Sequence, residues 1–142
     1  MRAIRYIFVH CTAGNRKQTV EALLEEFKRK GWKNPGYHFV VTEDGKIHSL
    51  LPVAEIANGV QGFNSVALHV AWTGGIDAAG KPTDNRTDEQ KKTLKAIVEK
   101  LHKQYPTANV MGHRDIWGSR PSAWKKMCPC FDVKKEYADI LR

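Results

Sequence analysis

Short apolar runs bounded by turn residues indicate where the strands of this chain lie. We predict five of them, at residues 3–10, 37–42, 46–51, 66–73 and 109–111. The second and third runs flank Glu43-Asp44-Gly45, and an Asp-Gly pair between two apolar runs is a strong signal for a β-hairpin. The pattern therefore predicts three separate strands and one hairpin.

Three further segments have apolar residues at the spacing of an α-helix. The first covers residues 19–31, with Thr19 as its N-cap. The second begins at the capping box Thr87-Asp88-Glu89-Gln90 and ends near Tyr105. Asp132 can cap a last helix near the end of the chain.

The elements follow the order strand, helix, hairpin, strand, helix, strand, helix. This order predicts an α/β fold with a single mixed central β-sheet flanked by helices. A chain of 142 residues suffices for one domain with a hydrophobic core and is too short for two, so we assign residues 1–142 to a single domain. In open α/β sheets, ligands bind along the edge where strands end.

The composition restricts the possible binding partners of the protein more than it restricts the fold. The net charge of +8 favours anionic partners, such as nucleic acid, anionic lipid or anionic cell wall. The lysines are scattered, and no basic helix or aromatic platform indicates direct nucleic-acid binding. No apolar run approaches the roughly 18 residues of a membrane span. The N-terminus shows no signal peptide, so we expect a protein that is cytoplasmic as synthesised.

Three side chains at or just past the ends of apolar runs suggest a metal site. His10 closes the first predicted strand, and His113 follows the fifth. A thiolate from Cys128 or Cys130 would complete a three-ligand zinc site, which leaves the fourth tetrahedral position for water, as in catalytic zinc centres. The residues alone do not tell which cysteine binds, and both could instead pack or form a local bridge.

The other histidines and cysteines are assigned no chemistry at this point. Because successive side chains on a strand point to opposite faces, Cys11 faces the core if His10 faces a site. Three cysteines do not suggest a disulfide framework. His38, His48 and His102 are interpreted as ordinary core or surface residues.

Five short motifs occur in order along the chain, namely Phe8–Ala13, Gly36–Phe39, Gly74–Asp77, Gly112–Asp115 and Cys128–Asp132. Together they resemble the zinc N-acetylmuramoyl-L-alanine amidases of type 2. That family includes the amidase-type phage lysozymes and the peptidoglycan recognition proteins. The resemblance extends from about residue 3 to the final helix, and therefore covers nearly the whole chain.

The resemblance implies one zinc ion per chain, bound by His10, His113 and Cys128. The ligand cysteine of the family is followed by Pro-x-Phe-Asp, which matches Cys128 and leaves Cys130 at the variable position.

The resemblance also implies the catalytic groups. Tyr37 matches the catalytic tyrosine and would hydrogen-bond the attacking water. Lys126 matches the catalytic lysine, whose ammonium stabilises an oxyanion that develops in the transition state. Lys125 is the neighbouring alternative within that pair. Asn64 is implied as a substrate contact.

The chain departs from the family at two positions. Many members have a histidine in the loop before the central strand, where this chain reads Asn58-Gly59-Val60-Gln61-Gly62. Members often have glycine in the central strand, where this chain has His69. His69 would either line the cleft or fill a gap in the packing.

We therefore expect a zinc-dependent amidase that cleaves the bond between N-acetylmuramic acid and L-alanine in peptidoglycan, similar to a phage or prophage endolysin. The alternatives are a non-catalytic peptidoglycan-binding module and a regulatory module on the same fold. We expect a monomer without a membrane span. Its substrate would be peptidoglycan reached after release from the cytoplasm, or wall fragments inside the cell.

Overall fold

A computed structural model describes residues 2–141 of the chain. It confirms the α/β class, because one five-stranded sheet carries helices on both faces. The strands are β1 (Tyr6–Cys11), β2 (Phe39–Val41), β3 (Ile47–Ser49), β4 (Ala67–Trp72) and β5 (Asn109–Gly112). The helices are α1 (Val20–Arg29), α2 (Asp88–Gln104) and α3 (Val133–Glu136). The first and last residues of the domain predicted over 1–142 lie outside the described part.

The sheet is mixed, as predicted, with the strand order β3-β2-β4-β1-β5. The central strand β1 is parallel to both β4 and β5, and β2 is parallel to β4. Only β3 is antiparallel to its neighbour among the described strands, because it is the second strand of the predicted hairpin. The carboxyl ends of four strands therefore meet at one edge of the sheet, where His10 lies.

The two faces of the sheet are covered by different helices. Leu94 and Val98 of α2 are fully buried in the larger core cluster, which includes Val41 of β2. Leu23 of α1 is buried in a separate cluster with Val40, the preceding residue of β2. Adjacent strand residues point to opposite faces, so α1 and α2 lie on opposite sides of the sheet.

The predicted caps are confirmed at all three helices. Thr19 Oγ1 accepts a hydrogen bond from the backbone N–H of Ala22 at 3.1 Å. Thr87 forms the complete capping box with Gln90 at the start of α2. Asp132 Oδ1 accepts from the backbone N–H of Lys135 at 3.2 Å. None of the helices within residues 2–141 is long and apolar enough to cross a membrane.

Several elements are shorter than the pattern predicts. The hairpin strands have three residues each, because Asp44 organises residues 42–46 into a turn: its carboxylate accepts from Thr42 Oγ1 and from the backbone N–H of Lys46. The last helix is a single turn, and Tyr137 follows it. β1 runs from Tyr6 to Cys11, so His10 is the penultimate residue of the strand rather than its last.

Candidate metal centre and active site

The structure brings His10, His113 and Cys128 together at the carboxyl edge of the sheet. In the parallel register of β1 and β5, Val9 lies opposite Gly112, so the residues that follow them are neighbours. The candidate ligand atoms of the three residues all lie within 4.8 Å of one another. His10 is 1% exposed, and His113 and Cys128 are each 9% exposed.

Backbone hydrogen bonds hold the loop that carries Cys128. The backbone N–H of Arg114 donates to the Cys128 carbonyl at 2.9 Å, and the N–H of Cys11 donates to the Cys128 sulfur at 3.2 Å. The next residue, Pro129, packs against Gly112, where an added Cβ would come within 2.6 Å of its ring. The loop is thus fixed directly against the ends of β1 and β5.

This geometry distinguishes the two cysteines that the residues alone left open, and it agrees with the choice of Cys128 that the family resemblance implies. Cys130 Sγ lies 3.8 Å from Cys11 Sγ and donates to the carbonyl of Gly75, so it belongs to the packing beneath the site. Cys11 is 4% exposed within the main core cluster, as predicted for the face opposite His10. All three cysteines of the described chain are free thiols.

The electrostatics of the site favour neutral imidazoles. Burial lowers the pKa of His113 to about 4, with a further contribution from the Lys126 charge. Burial also lowers the pKa of His10 well below its usual value, and the neighbouring His69, His113 and Lys126 act in the same direction. A neutral imidazole has a free lone pair, which is the form that binds a metal. Two imidazoles and one sulfur form a donor set that zinc accepts, with one position left open.

Tyr37 and Lys126 lie at the same site. Both border a cleft of about 180 Å³ that also reaches His10, His113 and Cys128. The ring centroid of Tyr37 is 5.1 Å from that of His10. The Tyr37 hydroxyl donates to the carbonyl of Cys11 at 3.3 Å, and burial raises its pKa well above the ordinary value. Tyr37 is therefore a protonated hydrogen-bond donor at neutral pH.

The structure separates the two adjacent lysines. The Lys126 charge acts on both His10 and His113, and its side chain lines the cleft. Lys125 is exposed and is not among the described residues that line this cleft. The position of its side chain therefore favours Lys126 over Lys125 as the catalytic lysine, and its catalytic role stays a prediction.

Asn64 lies outside this cleft within the described chain. Its Oδ1 accepts a hydrogen bond from the backbone N–H of Val60 at 2.8 Å, which closes the loop before β4. That loop includes Asn58 and Gly59, which do line the cleft. Asn64 thus bonds to Val60, the residue next to the cleft-lining Gly59, and does not itself line the cleft.

Of the two alternatives for His69, the structure supports packing, since the residue does not line the cleft, but sequence reasoning did not foresee its contact with His10. This fully buried residue of β4 places its Nδ1 2.9 Å from Nε2 of His10. Burial lowers its pKa to about 3, with the neighbouring His38, His113 and Arg2 acting in the same direction. The parallel pairing of β1 with β4 was the signal that could have located it, because His69 lies opposite Phe8, two residues before His10.

Three comparisons with known proteins agree with this geometry. Residues 1–130 match the family model described as N-acetylmuramoyl-L-alanine amidase. The endolysin of Enterobacteria phage K11 is 34% identical over 130 residues, which cover 90% of this chain and 82% of that protein. The endolysin of Klebsiella phage KP32 is 35% identical over 133 residues, which cover 91% and 82%.

A solved structure shows the same fold. The Ph2119 endolysin from the Thermus scotoductus MAT2119 bacteriophage Ph2119 superimposes with a TM-score of 0.76 at 28% identity, over 99% of this chain and 86% of that one.

Proposed function

This chain belongs to the N-acetylmuramoyl-L-alanine amidase family, and from that membership we propose that His10, His113 and Cys128 hold one zinc ion at its hydrolytic site. The enzyme hydrolyses the amide bond between N-acetylmuramic acid and L-alanine in peptidoglycan, as an endolysin-like protein. The zinc proposal rests on one observation: two imidazoles and a sulfur meet within 4.8 Å at the carboxyl edge of the sheet.

The donor set fits zinc in number, chemistry and environment. Three ligands leave one position open for a reacting group, and burial of both imidazoles keeps them neutral. When bound, zinc polarises the scissile carbonyl and makes water nucleophilic near neutral pH. Side chains of this protein would stabilise the developing charge and orient the water.

Lys126 is proposed to stabilise the negative charge that develops on the carbonyl oxygen. Its ammonium reaches the cleft that contains both imidazoles. A charge-assisted hydrogen bond to an oxyanion forms fully only in the transition state, so it lowers the barrier rather than tightening ground-state binding.

Tyr37 is proposed to orient the attacking water. Its hydroxyl is at the cleft and keeps its proton at neutral pH. It now donates to the Cys11 carbonyl at 3.3 Å, a long bond that can be exchanged for a bond to water. A fixed donor at this place would hold the water in line with the scissile carbon and assist the transfer of its proton.

Direct contact of Asn64 with the substrate stays a prediction. Its hydrogen bond to Val60 indicates that Asn64 would instead act on the substrate indirectly, by holding the loop. By closing the loop, Asn64 supports Gly59 at the cleft wall. We further propose that the whole chain is a single catalytic domain that acts as a monomer on peptidoglycan of the wall or on soluble muropeptides.

The proposal is tested with Cys128→Ser and the matched control Cys130→Ser. We expect Cys128→Ser to lose bound zinc and most of its amidase activity while keeping the wild-type circular dichroism spectrum. Cys130→Ser should retain both, because its sulfur faces Cys11 rather than the imidazoles. Full zinc and full activity in Cys128→Ser would refute the ligand assignment.

A further inference from the structure

His69 is held rigidly behind the metal-ligand candidate His10. Its ring stacks on Phe8 at a centroid distance of 5.7 Å and on His38 at 5.9 Å, with interplanar angles of 13° and 2°. Its backbone N–H donates to Nδ1 of His38 at 3.1 Å. A ring stacked between two others has a fixed plane, and within that plane Nδ1 of His69 faces His10.

The hydrogen bond between His69 and His10 bears on which nitrogen of His10 can bind a metal. Nδ1 of His69 lies 2.9 Å from Nε2 of His10. The other nitrogen of His10, Nδ1, faces the sulfur of Cys128 at 3.8 Å. A neutral imidazole carries one proton, and the partner of one ring nitrogen decides where that proton resides. If Nε2 of His10 donates to His69, then Nδ1 of His10 has its lone pair free on the side of Cys128.

Gly59 provides the space that His69 occupies. A Cβ added at Gly59 would come within 2.2 Å of Nδ1 of His69, closer than real atoms approach. A Cβ at position 59 is therefore incompatible with the present position of the ring, so either the loop or the ring would have to move. The two departures from the family pattern are therefore neighbours in the structure, because Gly59 of the loop lies against His69 of the strand.

We propose that His69 is a positioning residue for the metal centre: it accepts the Nε2–H of His10 and so presents Nδ1 of His10 to the metal. Gly59 leaves the space that the His69 ring needs for this contact. Ligating histidines generally donate their second ring N–H to an acceptor that fixes the tautomer, and loss of that acceptor typically weakens metal binding 10- to 100-fold. The inference rests on the proposed zinc site.

Zinc affinity, measured by competition with a chromophoric chelator, is the first test. His69→Leu removes the acceptor and keeps the approximate volume, and we expect its zinc dissociation constant to rise about 10- to 100-fold. His69→Asn places an amide oxygen where Nδ1 was, and we expect the dissociation constant to stay within about threefold of wild type because the acceptor is restored. Equal affinities of wild type and His69→Leu would overturn the proposal.

The second test measures whether substitutions at positions 59 and 69 affect zinc binding independently of each other. Gly59→Ala should weaken zinc binding in the wild-type background, because the added methyl displaces His69. The same change in a His69→Ala background should have little further effect, since the ring that it displaces is absent. Additive effects in this double-mutant cycle would contradict a shared mechanism.

A spectroscopic signature separates positioning from simple packing. In zinc-loaded, ¹⁵N-labelled protein, we expect a protonated Nε2 on His10 and a scalar coupling across the hydrogen bond to Nδ1 of His69. Bound zinc without this coupling would show that His69 does not accept the Nε2–H of His10, and would overturn the inference while leaving the zinc site intact. If wild-type protein bound no zinc at all, the proposed function would fail, and the two failures are therefore distinguishable.

Discussion

Replacement of Lys126 by alanine isolates the proposed stabilisation of the oxyanion. The ammonium is at the cleft and its charge reaches His10 and His113, yet Lys126 is not one of the three candidate ligands. The side chain is solvent-exposed, so its removal leaves no cavity in the core. We therefore expect Lys126→Ala to keep its fold and its zinc while losing turnover.

The size of this loss follows from what the ammonium does. Removing one donor that faces a developing oxyanion typically reduces kcat by about 10²- to 10³-fold. Because Lys126 is exposed, water screens its charge, and we expect the lower end, about 100-fold, or about 2.7 kcal/mol of transition-state stabilisation. The effect should appear in kcat more than in KM, since the bond strengthens only as charge develops.

The assay measures the release of free L-alanine amino termini from a soluble muropeptide, with zinc content determined on the same samples. Lys125→Ala is the matched control, because it removes an equal charge from the adjacent residue outside the cleft. It should retain activity within about threefold of wild type, as expected for an exposed charge that does not line the cleft. Wild-type turnover in Lys126→Ala, or an equal loss in Lys125→Ala, would refute the reasoning.

Three further changes give separable results. Tyr37→Phe should keep zinc and lower kcat by about 10²-fold, the typical contribution of a positioned proton donor, and unchanged turnover would exclude a role for its hydroxyl. Asn64→Ala should lower the melting temperature and raise KM together through loss of the bond to Val60, so a raised KM at unchanged stability would indicate direct substrate contact instead. The pKa of His38 is lowered to about 4 by burial, against about 6.5 in the unfolded chain, so the unfolded chain binds the extra proton as pH falls. The contribution of His38 to stability should be fully present above pH 6.5 and decrease towards pH 4, with a loss of about 2 kcal/mol at pH 5 from this residue alone. Urea unfolding of chelator-treated protein would show this decrease reduced in His38→Gln, and an identical pH dependence in that variant would contradict it.

Local signals in the sequence were sufficient for the elements and their order. The capping box at Thr87 and the cap at Asp132 depend on residues three positions away, and both form as predicted. The Asp-Gly turn also located the hairpin, but not the length of its strands, because side-chain bonds of Asp44 extend the turn. Strand ends are set by such competing bonds, which hydrophobic periodicity does not record.

The contacts of the site depend on long-range packing. The position of His10 and His113 at strand ends was visible in the sequence, since parallel strands align their carboxyl ends. The choice of Cys128 over Cys130 came from the family resemblance, because the residues alone do not show which sulfur the loop turns toward His10 and which toward Cys11. The contact of His69 with His10 joins residues 59 positions apart and required the pairing of β1 with β4.

The zinc content of the purified protein, measured together with amidase activity in the presence and absence of a chelator, tests the central claim most directly. We predict about one zinc per chain, and release of L-alanine amino termini from peptidoglycan that stops with the chelator and returns with added zinc. Release that continues after complete removal of the metal, or a purified active protein without zinc, would contradict the assignment of His10, His113 and Cys128 as a catalytic zinc site.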